Sequence, residues 1–170
     1  FWPVGIDVDA AGDVYVSDFD SPCVYRCSAE GAVMDTIGWG SLVAPRGVTC
    51  DRQSGHVYVC DGHGYAIREF DEAGELVRSI PADWYVSDVA LGDNGELYAS
   101  AFNGRVYRFA ADGTLLTTWQ PADAAPNTAF PSLARGTDGR IHVVDRAATR
   151  VLVLTEDLQK IGEWLLDCAG

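Results

Sequence analysis

Twenty-five carboxylates, three histidines and five cysteines are the residues that could do chemistry in this chain of 170 residues. Asp7-x-Asp9-x-x-x-Asp13 resembles a carboxylate-rich calcium loop, but it lacks the later bidentate Glu and the Asp-rich spacing of an EF-hand. Aspartates beside a hairpin turn also accept backbone hydrogen bonds, and turn capping is the favoured reading. Asp18, Asp61 and Asp145 each close an aromatic- or valine-centred strand, which gives them two roles to choose between. One is structural: capping the loop that follows, or pairing with Arg105 or Arg150. The other is contact with a ligand.

The histidines are scattered. His142 stands where the other segments carry tyrosine and is expected to pack. His56 lies in a turn at the opposite end from His63. His63, flanked by glycines in Asp61-Gly62-His63-Gly64-Tyr65, marks an exposed loop. A three-histidine zinc centre would need ligands from elsewhere. Cysteines at 23, 27, 50, 60 and 168 form no C-x-x-C or zinc-finger spacing. Cys23 and Cys27, four apart on one strand, would lie roughly 13 Å from each other, too far for a mutual disulfide. Buried small side chains are the favoured role, and a bridge between neighbouring sheets is the alternative. No Gly-x-Ser-x-Gly elbow, phosphate loop or Cys/His nucleophile pair stands out.

Charge narrows the range of partners. A formal net charge of −13 disfavours phosphate backbones and anionic lipid, where affinity comes from Lys and Arg displacing counterions. Nucleic acid is therefore excluded as the expected partner. No apolar run approaches the ~18 residues that span a bilayer, so membrane insertion is not expected either.

These residues are positioned by a repeat. Gly12-Asp13-Val14-Tyr15-Val16-Ser17-Asp18 returns as Gly55-His56-Val57-Tyr58-Val59-Cys60-Asp61. It returns again as Gly95-Glu96-Leu97-Tyr98-Ala99-Ser100-Ala101 and as Gly139-Arg140-Ile141-His142-Val143-Val144-Asp145. Turn glycines 43, 40 and 44 residues apart mark a repeat architecture. The units run 1–43, 44–85, 86–129 and 130–170, and together they make one region, 1–170.

Each unit carries four short strand candidates. In the first these are 5–8, 14–17, 24–27 and 33–37, joined by turns too short for crossover helices. The strands are apolar on both faces, so both faces must be covered. Four-stranded antiparallel sheets stacked face to face around an axis do this, which predicts an all-β chain with the β-propeller architecture. A β-sandwich is the alternative. Gly12, Gly55, Gly95 and Gly139 are expected at positive φ in the first hairpin. Gly31, Gly74 and Gly113 close the last hairpin, where Leu158 breaks the pattern. Ile37, Ile80, Trp119 and Trp164 fall at one position of the outermost strand, which predicts packing between blades.

The repeat resembles the NHL repeat over the whole chain. Pro3-Val4-Gly5-Ile6 and Pro45-Arg46-Gly47-Val48 match the family's opening. Arg105-Val106-Tyr107-Arg108-Phe109 with Asp112-Gly113 matches its later strand, and Arg150-Val151-Leu152-Val153-Leu154 does so more loosely. The resemblance implies a propeller that is usually six-bladed, whereas four units are present with no strand left over to close a ring. An excerpt of a longer propeller is the favoured expectation. A four-bladed ring, or self-association through exposed blade faces, is the alternative.

The second strands end where loops from every unit gather, which is the end where propellers usually bind ligands. The aromatic residues Phe19, Tyr65, Trp84, Tyr85 and Phe102 interleave there with charge. The charge is polarised: residues 1–86 hold 14 acids and 5 bases, and residues 87–170 hold 11 acids and 7 bases. The expected ligand contacts are Asp18, Phe19, Asp20, Asp61, His63, Tyr65, Trp84, Phe102, Asn103, Arg105, Asp145 and Arg146. The leading expectation is a non-enzymatic module that holds a protein, peptide or small molecule without a cofactor. The resemblance also implies an alternative, a gluconolactonase-like hydrolase or peptide-amidating lyase with calcium or zinc on the propeller axis. An excerpt of a longer propeller would also suit an extracellular sensor domain of a signalling protein, and the expected compartment is extracellular or periplasmic.

Overall fold

The computed structural model describes residues 1–166. Among the described residues sixteen strands follow one another in four antiparallel sheets, each built from four consecutive strands. The first sheet contains β1 (Pro3–Val8), β2 (Val14–Asp18), β3 (Cys23–Cys27) and β4 (Val33–Ile37). The second contains β5 (Pro45–Cys50), β6 (Val57–Asp61), β7 (Ala66–Phe70) and β8 (Leu76–Pro81). The third contains β9 (Val86–Leu91), β10 (Leu97–Ala101), β11 (Val106–Phe109) and β12 (Leu115–Trp119). The fourth contains β13 (Leu133–Arg135), β14 (Ile141–Asp145), β15 (Arg150–Leu154) and β16 (Lys160–Leu165). No described residue is helical. Within the 1–170 repeat region the chain divides into two compact units, Phe1–Val89 and Ala90–Gly170, with the division inside β9.

The hairpins close as their residue types require. Gly12, Gly55, Gly95 and Gly139 all take positive φ, between 74° and 93°, where a Cβ would clash with the backbone. Beside Gly12, one carboxylate oxygen of Asp9 accepts the N–H groups of Ala11 and Asp13, both at 2.9 Å. Capping is thus what Asp9 does. Asp13 instead pairs with Arg26 at 2.7 Å. Asp7 reaches to the second sheet, accepting from Cys50 N–H at 2.8 Å and from the Thr49 hydroxyl at 3.1 Å. The three carboxylates serve three different partners. At the last hairpin, Leu158 adopts the glycine's conformation with φ 57° and is almost fully buried. Its side chain packs into the core of the second unit.

In the first unit the core is the joint between two stacked sheets. Tyr15, Val24 and Ile37 of the first sheet meet Val48, Cys50, Val57, Val59 and Phe70 of the second, with Leu42 from the connecting loop. In the second unit Tyr98 and Val106 meet Leu133, Ile141, Val143, Leu152 and Leu154, with Phe130 and Leu158, and Trp119 packs alongside. Register makes these the same joint, since Val24 pairs with Ile37 as Val106 pairs with Trp119. The backbones approach closely at its inner edge. A Cβ on Gly5 would lie 2.3 Å from the carbonyl oxygen of Arg46, to which the Ser17 hydroxyl donates.

Candidate ligand-binding surface

In the first unit the second strands end on buried aspartates that organise the loops around them. One oxygen of Asp18 accepts the N–H of Trp2 at 2.7 Å and of Asp20 at 3.0 Å. Burial opposes ionisation of Asp18, yet these N–H donors hold its carboxyl below the ordinary aspartate range. Asp61 repeats the arrangement with the N–H groups of Val43 and Ala44, at 3.1 and 3.0 Å. Its other oxygen faces Arg68 at 3.3 Å. Both aspartates therefore tie the segment entering a sheet to the loop leaving the second strand. The expected capping role is present at both positions, and Arg68 is a partner that the strand pattern did not suggest.

This tying has a consequence at the surface. Trp2 is drawn beside Phe19, with ring centres 5.6 Å apart in an edge contact, and the Phe19 N–H donates to the Trp2 carbonyl at 2.9 Å. Phe19 in turn meets His63 at 5.9 Å, and His63 meets Tyr85 at 5.2 Å, again edge to face. The guanidinium of Arg46 lies 5.3 Å from the centre of Phe19 and 5.6 Å from that of Tyr85. Four rings from four separate segments thus form one tier of edge contacts, and two of them, Phe19 and Tyr85, lie against the Arg46 guanidinium. Gly62 makes room for it, since a Cβ there would sit 2.4 Å from the Tyr85 ring. Burial raises the Tyr85 phenol, with Arg46 opposing, so its hydroxyl keeps its proton at neutral pH.

Trp2 and His63 are exposed, whereas Phe19, Arg46 and Tyr85 are half-buried. Tyr65, at φ 47°, and Trp84 are each about half exposed at the same end. Asp20 is exposed and lies 3.4 Å from the terminal ammonium. The structure brings Phe19 and His63 together, with Asp18 and Asp61 holding the loops beneath. It adds Trp2, Arg46 and Tyr85 to the tier. An alignment of units on Pro3 and Pro45 places Trp2 and Arg46 at the loop end; the periodicity of the strands does not.

The remaining expected contacts lie in the second unit. Asp145 is buried, accepting from Ala148 N–H at 3.3 Å and from the Arg150 guanidinium at 3.0 Å. Arg150 is buried too, and also binds Asp123 and Glu163 at 2.8 and 2.9 Å. The Asn103 side chain accepts from Arg105 N–H and donates to the Tyr107 hydroxyl, both at 3.1 Å, so it closes its own turn. Phe102 and Arg105 are half-buried, and Arg146 is exposed.

Away from the loop end, His56 lies 2.7 Å from the buried Glu69, which also accepts from Tyr58 at 3.1 Å and from Arg78. A cavity of about 320 Å³ lies among the hairpin turns of the first unit, lined by Asp9, Tyr15, Arg26, Asp51 and Arg52 among others. Among the described residues no three His, Cys, Asp or Glu side chains converge as metal ligands. Cys23, Cys50 and Cys60 are buried free thiols, and Cys27 is half-buried and free. Burial pushes the Cys50 thiol up to about 12. Cys168 lies outside the described residues.

Comparison with known proteins supplies the fold. The strictosidine synthase-like, N-terminal family matches residues 88–109. No curated protein matches the chain. A streptogramin B lyase structure superposes with a TM-score of 0.83 at 15% identity, over 98% of this chain and 55% of that one. A catalytically inactive virginiamycin B lyase from Staphylococcus aureus, solved with quinupristin, gives 0.80 at 17% identity, over 96% and 55%. The hydrazine synthase of Kuenenia stuttgartiensis gives 0.81 at 11%, over 96% and 49%. The chain spans about half the length of these structures. The four sheets are β-propeller blades.

Proposed function

We propose that this NHL-like propeller region is a binding module whose ligand, a peptide or protein segment, lies across the tier of Trp2, Phe19, His63 and Tyr85. The observation that carries the reading is the continuous run of edge contacts from Phe19 through His63 to Tyr85 above Arg46. Aromatic rings held in place by neighbours, with arginine among them, are the residues that anchor protein contacts, because they bury large area at little cost in side-chain freedom. The cavity among the turns is at the other end, and the tier is read as an open surface for an extended ligand. The exposed Asp20 at its rim favours a ligand carrying a basic group.

The probe is a random peptide library displayed on phage and selected on the immobilised protein. Phe19→Ala and His63→Ala are expected to weaken the selected peptides at least about tenfold, the cost of roughly one anchor contact, with unfolding midpoints preserved. Peptides that bind both variants as they bind wild type would place the site elsewhere.

The lyases among the similar structures favour a second reading, an enzyme acting at the same end. At 15 to 17% identity they support a scaffold able to carry such chemistry, with the His63 imidazole in the tier. Metal content after desalting separates the readings, since stoichiometric calcium or zinc would favour the enzyme.

A further inference from the structure

The first hairpin turn of the second sheet is built differently from its counterparts. Asp9, Gly92 and Gly136 each donate their N–H to the carbonyl four residues on, at Asp13, Glu96 and Arg140, whereas Asp51 donates to His56, five residues on. This turn therefore carries one residue more. Asp9 and Asp51 also stand where the third and fourth sheets have Gly92 and Gly136. The turns that begin on these two aspartates border the cavity of about 320 Å³. That volume is at the lower end of the roughly 300–1,000 Å³ of small-ligand clefts.

Charges of both signs line the cavity, and some of them keep bonding capacity unused. Arg26 is committed, its Nε and Nη2 donating to one oxygen of Asp13 at 3.0 and 2.7 Å. Asp51 is committed as well, one oxygen accepting the Gln53 N–H at 2.9 Å and the other the Ser54 hydroxyl at 2.6 Å. Arg52 is not. From the longer turn it crosses to the first sheet, where its Nε donates to the Val8 carbonyl at 3.1 Å and its Nη2 comes only to 3.8 Å from Asp7. Among the described residues its two terminal nitrogens therefore make no hydrogen bond. Glu72 likewise makes no hydrogen bond or ion pair among them, and its stem lies over Gly55, where a Cβ would stand 2.5 Å from the Glu72 Cγ. Asp9 uses one oxygen to cap its turn and has the other left. Tyr15, buried beside Asp9 with its phenol pushed up to about 12, lines the cavity without adding charge.

We propose that this cavity binds a small zwitterion of the free α-amino acid class, with its ammonium group toward Asp9 and Glu72 and its carboxylate toward Arg52. A ligand of one sign would leave the unused groups of the other sign without a partner. A carboxylate is the anion that fits Arg52, because two open guanidinium nitrogens can bond both of its oxygens at once. The ammonium carries three donors, enough for the open oxygen of Asp9 and the carboxylate of Glu72 together. The site lies at the opposite end of the first unit from the aromatic tier and shares no residue with it.

The test is calorimetric titration of the 170-residue chain with each of the twenty common amino acids at low salt. At least one is expected to bind with a Kd below about 1 mM. Its N-acetyl derivative, which lacks the ammonium charge, and its amide, which lacks the carboxylate, are each expected to bind at least about tenfold more weakly. Arg52→Gln and Glu72→Gln change exposed side chains, and circular dichroism checks that both fold. Arg52→Gln is expected to weaken the amino acid at least about tenfold while binding the amide as wild type does, because the lost contact is the carboxylate's. Glu72→Gln is expected to do the converse, weakening the amino acid but not the N-acetyl derivative. Absence of binding by all twenty at about 10 mM would overturn the proposal. So would derivatives that bind as well as the parent, variants that bind the amino acid as wild type does, or a site that takes the diamine putrescine more tightly than any amino acid.

Discussion

The carbonyl oxygen of Arg46 lies 2.3 Å from where a Cβ on Gly5 would stand. The Pro-x-Gly opening of the first repeat therefore has a physical cause: the next blade's backbone passes over the glycine. Gly47 repeats the relationship, with the Asp88 Cα 2.5 Å from its own would-be Cβ. In both cases the obstacle includes backbone, which cannot rotate away. Gly5→Ala is expected to destabilise the protein by about 1–3 kcal/mol, the range for overpacking a tight interior. Gly162→Ala, in a strand with nothing within 4 Å of the added methyl, is expected to be neutral. Thermal unfolding of the two variants side by side checks this, and equal midpoints would refute it.

Much of this fold is legible in the chain because its determinants are local and repeated. The glycines of the first hairpins recur near every 40 residues, and positive φ is a property of a single residue. Ile37, Ile80, Trp119 and Trp164 are likewise found by counting along strands, and they fall at equivalent pairing positions. The tier is less legible. Trp2, Phe19, His63 and Tyr85 come from four segments; Asp18 ties the segments of Trp2 and Phe19 to each other, and Asp61 ties the loop of His63 to residues 43–44. Phe19 and His63 stand out as loop residues, whereas Trp2 and Arg46 are placed at the loop end by an alignment on Pro3 and Pro45 and not by strand periodicity. The same ties show why an aspartate that ends a strand beside a candidate site can be structural at that position.

Gly62 lets the Tyr85 ring approach closely, so Gly62→Ala tests the tier without removing any of its side chains. The added methyl would meet the end of a side chain rather than backbone, and the ring can swing aside at small cost to stability. That movement takes Tyr85 away from His63 and from the Arg46 guanidinium. Peptides selected on the wild type are expected to lose about tenfold in affinity, roughly 1.4 kcal/mol, with an unchanged thermal midpoint. Undiminished binding would mean that Tyr85 is not part of the ligand surface.

Leu158 sets strain against packing. Its left-handed backbone costs a non-glycine residue about 1–2 kcal/mol, which glycine would recover. Its buried side chain contributes to the core of the second unit, and emptying such a site costs about 2–5 kcal/mol. Burial is the larger effect, so Leu158→Gly is expected to lower stability by about 1–3 kcal/mol, even though the other three repeats carry glycine there. A variant more stable than wild type in urea would show that strain dominates.

Acid should loosen the first unit through Glu69. Burial favours protonation of this carboxyl, but hydrogen bonds from His56, Arg78 and Tyr58 outweigh it and hold the group below the ordinary 4.5. Burial and the same carboxylate push the Tyr58 phenol up to about 12, so it stays a donor. A carboxyl depressed in the folded state binds its proton more readily when unfolded. Its stabilisation is therefore present in full above about pH 4.5 and is lost as pH falls through the lowered folded value. Glu69→Gln removes the charge while keeping the shape. At neutral pH the variant is expected to be less stable by about 2 kcal/mol, the scale of hydrogen bonds to a charged group. Below about pH 4 the gap to wild type should narrow, because the wild-type carboxyl is then being neutralised as well. Urea midpoints measured across that range give the result directly, and a gap that stays constant or widens in acid would contradict the assignment.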